Sequence, residues 1–151
     1  MRKRLGMRNE SKRVFAALDG GKTMRTVAEQ ALAIAAKEGA ALRRGHIGDA
    51  LPADATGADH AALSQSVKAR LCEELSDVLA AARADGNIPS VELCVTAGPV
   101  KRTLTRRLIN PWHPDTVVCG TRGLSRLQYA LVGSTGAYLT RTLNCRVIVV
   151  R

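Results

Sequence analysis

The chain has 151 residues, of which 46% are hydrophobic but only 3% aromatic, so we expect one domain whose core is built from Ala, Val, Leu and Ile. No apolar run reaches the length of a membrane span, and the N-terminus lacks the apolar stretch of a signal peptide, which favours a cytoplasmic protein without a membrane segment. The formal net charge of +10 leaves open a nucleic acid or an acidic membrane surface as a partner.

The first half of the chain alternates between strand-like and helix-like segments. Residues 1–12 form a basic head, which we interpret as flexible, and a single domain is predicted over residues 13–151. An apolar run at 14–18 stops at Asp19, Gly20 and Gly21, which predicts a strand followed by a turn. A helix over 23–37 and a second strand over 40–47 follow, although Arg43, Arg44 and Gly45 interrupt that strand. After a loop at 48–59, apolar residues at steps of four and three predict one long amphipathic helix over 60–83.

The second half continues the alternation. The pattern predicts strands over 90–96, 115–119 and 145–150, and helices from Gly98-Pro99 to about 108 and over 137–143. Strands that alternate with helices indicate an open parallel sheet covered by helices on both faces. In such sheets ligands lie beyond the carboxyl ends of the strands, where the strand order reverses.

A glycine-rich pattern follows the fourth predicted strand. It consists of Gly120, Gly123 and then the run Gly133-Ser134-Thr135-Gly136, which opens the last predicted helix. Glycine lets a strand turn sharply and leaves backbone N–H groups open to close approach. A helix N-terminus adds unpaired N–H groups and a favourable dipole for an anion. The two clusters together favour a ligand that carries phosphates.

These residues resemble the ATP-binding members of the universal stress protein family. The family motif G-x2-G-x9-G-[S/T] is matched without a gap by Gly120, Gly123 and Gly133-Ser134. An acid at the end of the first strand (Asp19), the Gly98-Pro99 helix start and the C-terminal V-I-V-V strand are also typical. The resemblance implies an α/β fold with an open five-stranded parallel sheet and helices on both faces (Rossmann-like, adenine nucleotide alpha hydrolase-like). It also implies ATP or AMP with Mg²⁺ as ligand, and a homodimer that is often joined through the C-terminal strand.

The resemblance also assigns roles to individual positions. Asp19, with Ala17 and Leu18 beside it, would meet the adenosine, and the backbone of Ile47 would read the adenine edge. Gly120, preceded by Cys119, would lie along the ribose. The residues implied around the phosphates are Gly123, Gly133, Ser134 and Thr135. Spacing places Arg122 near the phosphates too, where its guanidinium could pair with them, and a solvated surface arginine is the other interpretation.

Catalytic and metal-binding chemistry have little support in the sequence. Ser134 has no recognisable base partner, and the three histidines form neither a triad nor a metal pattern. The four cysteines are widely spaced without a CxxC pair, so we expect them to be reduced core residues and not metal ligands or disulfides. We therefore predict a binding protein without catalytic residues, in which any ATP hydrolysis is slow.

Three functional hypotheses remain. The first is a stress-response regulator that depends on a bound nucleotide. The second is a nucleotide-free interaction module that docks an acidic protein through its basic surface, which includes the head and the cluster Lys101, Arg102, Arg106 and Arg107. The third is nucleic-acid binding, which is disfavoured because the chain offers few aromatic rings for stacking single-stranded bases.

Overall fold

A parallel sheet forms the centre of the computed structural model, which describes residues 12–19, 21, 23–48, 54–120 and 134–151. The described strands are β1 (Arg13–Leu18), β2 (Ala41–Gly48), β3 (Val91–Ala97), β4 (Thr116–Gly120) and β5 (Arg146–Val150). All neighbouring pairs are parallel, in the order β3-β2-β1-β4-β5. The predicted five-stranded α/β sheet is confirmed, and the strand order reverses between β1 and β4.

Helices cover both faces of this sheet. The helices are α1 (Met24–Glu38), α2 (Gly57–Glu74), α3 (Ser76–Ala84), α4 (Val100–Thr103) and α5 (Ser134–Thr142). Helix α4 continues as a π-helical segment, Leu104–Ile109, and a short 3₁₀ turn, Asn110–Trp112. Among the residues described, no helix combines the length and the apolar character that crossing a bilayer requires.

Alternate residues of the central strands supply two separate cores. Val14, Ala16 and Leu18 of β1 pack with α1, α2 and α3 on one face. Phe15 of β1 packs on the other face, in a cluster that includes Leu104 of the π-helical segment and Leu139 of α5. Because successive strand residues point to opposite faces, the fully apolar run of β1 is what a doubly covered parallel strand requires.

The predicted helix over residues 60–83 is wrong in two details. The helix begins earlier, at Gly57, because Thr56 and Asp59 form a capping box: the Asp59 N–H donates to Thr56 Oγ1 at 3.1 Å, and the Thr56 N–H donates to Asp59 Oδ2 at 2.9 Å. The helix also breaks at Leu75, whose φ of −115° and ψ of 25° separate α2 from α3. Leu75 itself is buried in the core, so the break coincides with a packed side chain and not with a helix-breaking residue.

Strand β2 is complete despite the polar interruption in its sequence. The Arg43 guanidinium lies over the Trp112 ring, 4.6 Å from its centroid, and donates from Nε to Glu92 at 2.7 Å. Gly45 makes room for the Phe15 ring, since a Cβ at this position would overlap that ring. The expected weak strand therefore pairs along its length, with β1 on one side and β3 on the other.

All four cysteines are free in the structure. Only Cys119 is buried, whereas Cys72, Cys94 and Cys145 are partly exposed. Cys145 packs against the core cluster around Phe15, so the expectation that all four belong to the core is wrong for Cys72 and Cys94.

Candidate functional site

A cavity of about 430 Å³ lies at the carboxyl ends of β1, β2 and β4. The strand ends supply one wall, from Ala17 to Asp19, from Gly45 to Gly48 and at Cys119 and Gly120. The helices supply the remainder, which includes Thr135 in the first turn of α5. The cavity lies where the strand order reverses, which is the usual ligand position in an open α/β sheet.

Many of the residues singled out in the sequence meet at this cavity. Its lining includes Ala17, Leu18, Asp19, Ile47, Cys119, Gly120 and Thr135. The chain thus brings together positions that are more than a hundred residues apart in sequence. Arg122, Gly123 and Gly133 lie outside the described residues, and Ser134 is described only as the first residue of α5.

Asp19 shapes the turn that follows β1. Its Oδ1 atom accepts a hydrogen bond from the Gly21 N–H at 2.8 Å, and the residue is exposed at the cavity. Burial, with a smaller contribution from the Asp19 charge, raises the pKa of the Cys119 thiol to about 11. The Cys119 side of the wall is therefore neutral near pH 7, and among the described residues that line the cavity Asp19 is the only carboxylate.

Gly120 allows β4 to approach the start of α1. A Cβ atom at Gly120 would overlap Thr23 Oγ1 and would lie 3.3 Å from Val27 Cγ2. The absence of a side chain therefore brings the end of β4 against the residue that precedes α1. Gly120 therefore lines the cavity together with the end of β1.

His46 joins the ends of β1 and β2 beneath the cavity. Its Nδ1 atom lies 2.7 Å from the Leu18 carbonyl oxygen, and the ring is buried. Because a carbonyl oxygen only accepts, Nδ1 carries the hydrogen and donates. In the neutral ring Nε2 is then an acceptor. His46 is not among the site residues predicted from the sequence, although its place directly before Ile47 could have indicated a role there.

The apolar side of the cavity was also not predicted from the sequence. Leu63 and Val67 of α2, together with Val100 and Leu104, line it. Leu63 and Val67 are only half-buried, unlike Leu71 further along the same helix face. Leu104 begins the π-helical segment, a distortion that is frequent at functional sites. Arg70, which is exposed, adds a positive side chain to the lining.

These features define a class, the open parallel α/β domain with a cavity at the reversal of its strand order. The sequence matches the Universal stress protein family over residues 10–151. The chain belongs to the universal stress protein family.

Solved structures agree with this assignment. The universal stress protein UspA from Lactobacillus plantarum is 21% identical with a TM-score of 0.71, and the match covers 94% of this chain and 99% of that chain. A universal stress protein in complex with cAMP is 25% identical with a TM-score of 0.65, covering 93% and 96% of the two chains. A family member from Arabidopsis thaliana with AMP bound is 17% identical with a TM-score of 0.56, covering 92% and 90%. A search of curated proteins found no match.

Proposed function

We propose that this chain binds an adenine nucleotide in the cavity between β1 and β4, and that it acts as a nucleotide-dependent regulator in the response to stress. One observation carries the proposal: the ends of β1 and β4 and the first turn of α5 converge on a single cavity. Structures of family members with cAMP and with AMP bound support it.

The lining divides into parts that suit the parts of a nucleotide. The half-buried Leu63 and Val67 offer an apolar surface for a base, with the backbone of Ile47 at its edge. The Asp19 carboxylate is an acceptor for adenosine hydroxyl groups. The first N–H groups of α5 lack intrahelical partners and suit an anion, so the phosphates would lie at Thr135. The glycine motif would add Gly123, Gly133 and Ser134 to this end.

ATP or AMP with Mg²⁺ is the ligand that the family motif favours. The described residues contain no group of three His, Cys, Asp or Glu side chains that could hold a metal ion. The cavity therefore suits a magnesium ion that is held by phosphate oxygens and water, as is common for this ion. The protein would contribute the N–H groups of α5 and the positive charge of Arg70.

We further propose a binding protein in place of an enzyme. Near the cavity, His46 Nδ1 already donates to the Leu18 carbonyl, and Asp19 already accepts from the Gly21 N–H. Neither group has a described serine, threonine or cysteine nucleophile as hydrogen-bond partner, so any ATP hydrolysis is expected to be slow. Strand β5 pairs only with β4 among the described residues, and its open edge suits a homodimer through the C-terminal strand.

Isothermal titration calorimetry with ATP and with AMP, each with and without Mg²⁺, tests the proposal. The wild-type protein should bind, and Gly133→Val should abolish binding by filling the phosphate end. Asp19→Asn should weaken binding about tenfold or more, since a hydrogen bond to a charged group contributes ~1.5–3 kcal/mol. Arg106→Gln, an exposed residue outside the cavity lining, is the matched control. The absence of both binding heat and a thermal shift at millimolar nucleotide would exclude this function.

One observation favours a second candidate, an interaction module for an acidic protein. Lys101, Arg102, Arg106 and Arg107 are all exposed, and none forms an ion pair with a described residue. A partner recovered from a pull-down should then be released by salt and by Arg106→Glu, yet retained by Gly133→Val. Weak, length-dependent nucleic-acid binding that disappears by physiological salt would instead indicate nonspecific attraction.

A further inference from the structure

Arg44 is a buried cation without a described partner. Its relative exposure is 3%, and its Nε and Nη1 atoms have no hydrogen-bond partner among the described residues. Arg43, the preceding residue of β2, already pairs with the nearby carboxylate of Glu92. A buried guanidinium that makes no compensating contact is costly. Arg44 therefore needs a hydrogen-bond acceptor that the described part of the protein does not supply.

A second cavity adjoins this side chain. It has a volume of about 480 Å³, lies between the β2–β3 edge of the sheet and the helices α2 and α3, and shares no lining residue with the cavity at the strand ends. Lys68 of α2 and Arg83 of α3 line it together with Arg44. Lys68 and Arg83 are exposed, and neither forms an ion pair with a described residue. Its other lining residues are Arg43, Cys72, Val91, Glu92, Leu93 and Cys94.

The charge of this cavity is unbalanced. Burial lowers the pKa of Arg44; the neighbouring Cys72 raises it, and the charge of Arg83 lowers it. An arginine nevertheless keeps its proton in proteins, so the cost of the buried charge cannot be removed by deprotonation. Glu92 is neutralised by Arg43, which leaves Arg44, Lys68 and Arg83 as a net positive group. An anion with a charge near −2 balances this group better than a single carboxylate.

We propose that the second cavity binds a divalent oxyanion of the phosphate class, either inorganic phosphate or the phosphate of a small phosphomonoester. Arg44 is the buried anchor, and Arg83 and Lys68 close the mouth of the site. The volume exceeds that of one phosphate, and Val91 and Leu93 give an apolar wall for an attached organic group. This site is separate from the proposed nucleotide site and does not depend on it.

The Arg44 Nε–H signal in an NMR spectrum provides the first test. The signal is identified by its loss in Arg44→Met, and phosphate replaces chloride at constant ionic strength. We expect a saturable shift with inorganic phosphate, a tighter response with glycerol 3-phosphate if the organic group contributes, and little response to acetate, which carries a single carboxylate. Arg83→Met should weaken phosphate binding about tenfold or more by removing a charged contact. Lys101→Met, outside the cavity, and Gly133→Val, at the nucleotide site, should leave the response unchanged.

Alkylation of cysteines provides a second test that uses the wild-type protein. Phosphate should slow iodoacetamide modification of Cys72, which lines the cavity, and leave Cys145, which does not, unchanged. The proposal is overturned if the Arg44 signal and the Cys72 rate are both unaffected by millimolar phosphate. It is also overturned if acetate shifts the signal as strongly as phosphate does, or if Gly133→Val abolishes the phosphate response. Loss of nucleotide binding alone would affect only the function proposed above.

Discussion

Replacing Gly120 with alanine tests the close approach of β4 to the start of α1. The added Cβ would overlap Thr23 Oγ1, lie 3.0 Å from Thr23 Cβ and lie 3.3 Å from Val27 Cγ2. Thr23 and Val27 are buried and belong to packed elements, so neither can move freely. Overpacking of this kind costs about 1–3 kcal/mol. For a chain of this size that corresponds to a melting temperature lower by roughly 3–10 °C.

A double-mutant cycle with Thr23 identifies the cause of that loss. Thr23→Ala removes the overlapping hydroxyl and should recover a large part of the stability of Gly120→Ala, whereas Thr23→Val keeps the volume and should recover none. Urea unfolding of the single and double variants measures the coupling. If Gly120→Ala is as stable as the wild type, the close approach is not as described. A coupling energy below about 0.5 kcal/mol between Gly120→Ala and Thr23→Ala would also contradict the steric argument, since independent sites add within that range.

Three further predictions concern other contacts. Gly45→Ala should lower stability by about 1–3 kcal/mol because its Cβ would overlap the Phe15 ring, and Phe15→Leu should be less harmful in that background than in the wild type, as measured by urea unfolding. The hydrogen bond from Arg146 at 2.8 Å lowers the pKa of Glu38. The ion pair therefore contributes about 0.2–1 kcal/mol of stability above the pKa of Glu38 in the unfolded chain, and this contribution is lost as the pH falls through the pKa of Glu38 in the folded protein. The stability difference between wild type and Glu38→Gln should shrink from pH 7 to pH 3, and a constant difference would contradict this prediction. Because burial raises the pKa of Cys119 to about 11, its alkylation at pH 8 should be slower in the folded than in the urea-unfolded protein by on the order of a hundredfold, and equal rates by mass spectrometry would show an accessible thiolate.

The sheet could be predicted because its signals are local. Apolar runs such as residues 14–18 end at turn residues, and their alternation with helices allows few topologies. The start of α2 was missed even though the capping residues Thr56 and Asp59 are visible in the sequence. The break at Leu75 has no comparable signal, because it lies at a buried leucine with no glycine or proline beside it.

The cavity was predictable only on its strand side. Asp19 and Gly120 stand where a strand meets a turn, and the sequence shows such places directly. Leu63 and Val67 share a helical stripe with Leu71, and spacing alone cannot show which part of the stripe also lines a cavity. The burial of Arg44 could not be predicted either, because it depends on how α2 and α3 pack over β2.

The pairing of β1 has a consequence for how the chain is made. One side of β1 pairs with β2, where Leu18 meets His46, but its other side pairs with β4, where Val14 meets Thr116. During synthesis, β1, β2 and β3 can assemble while the second side of β1 has no strand beside it. Contacts of such long sequence separation form slowly, so the nascent chain exposes an unpaired apolar strand until residues near 120 leave the ribosome. Chaperones that recognise extended apolar segments would act in that interval.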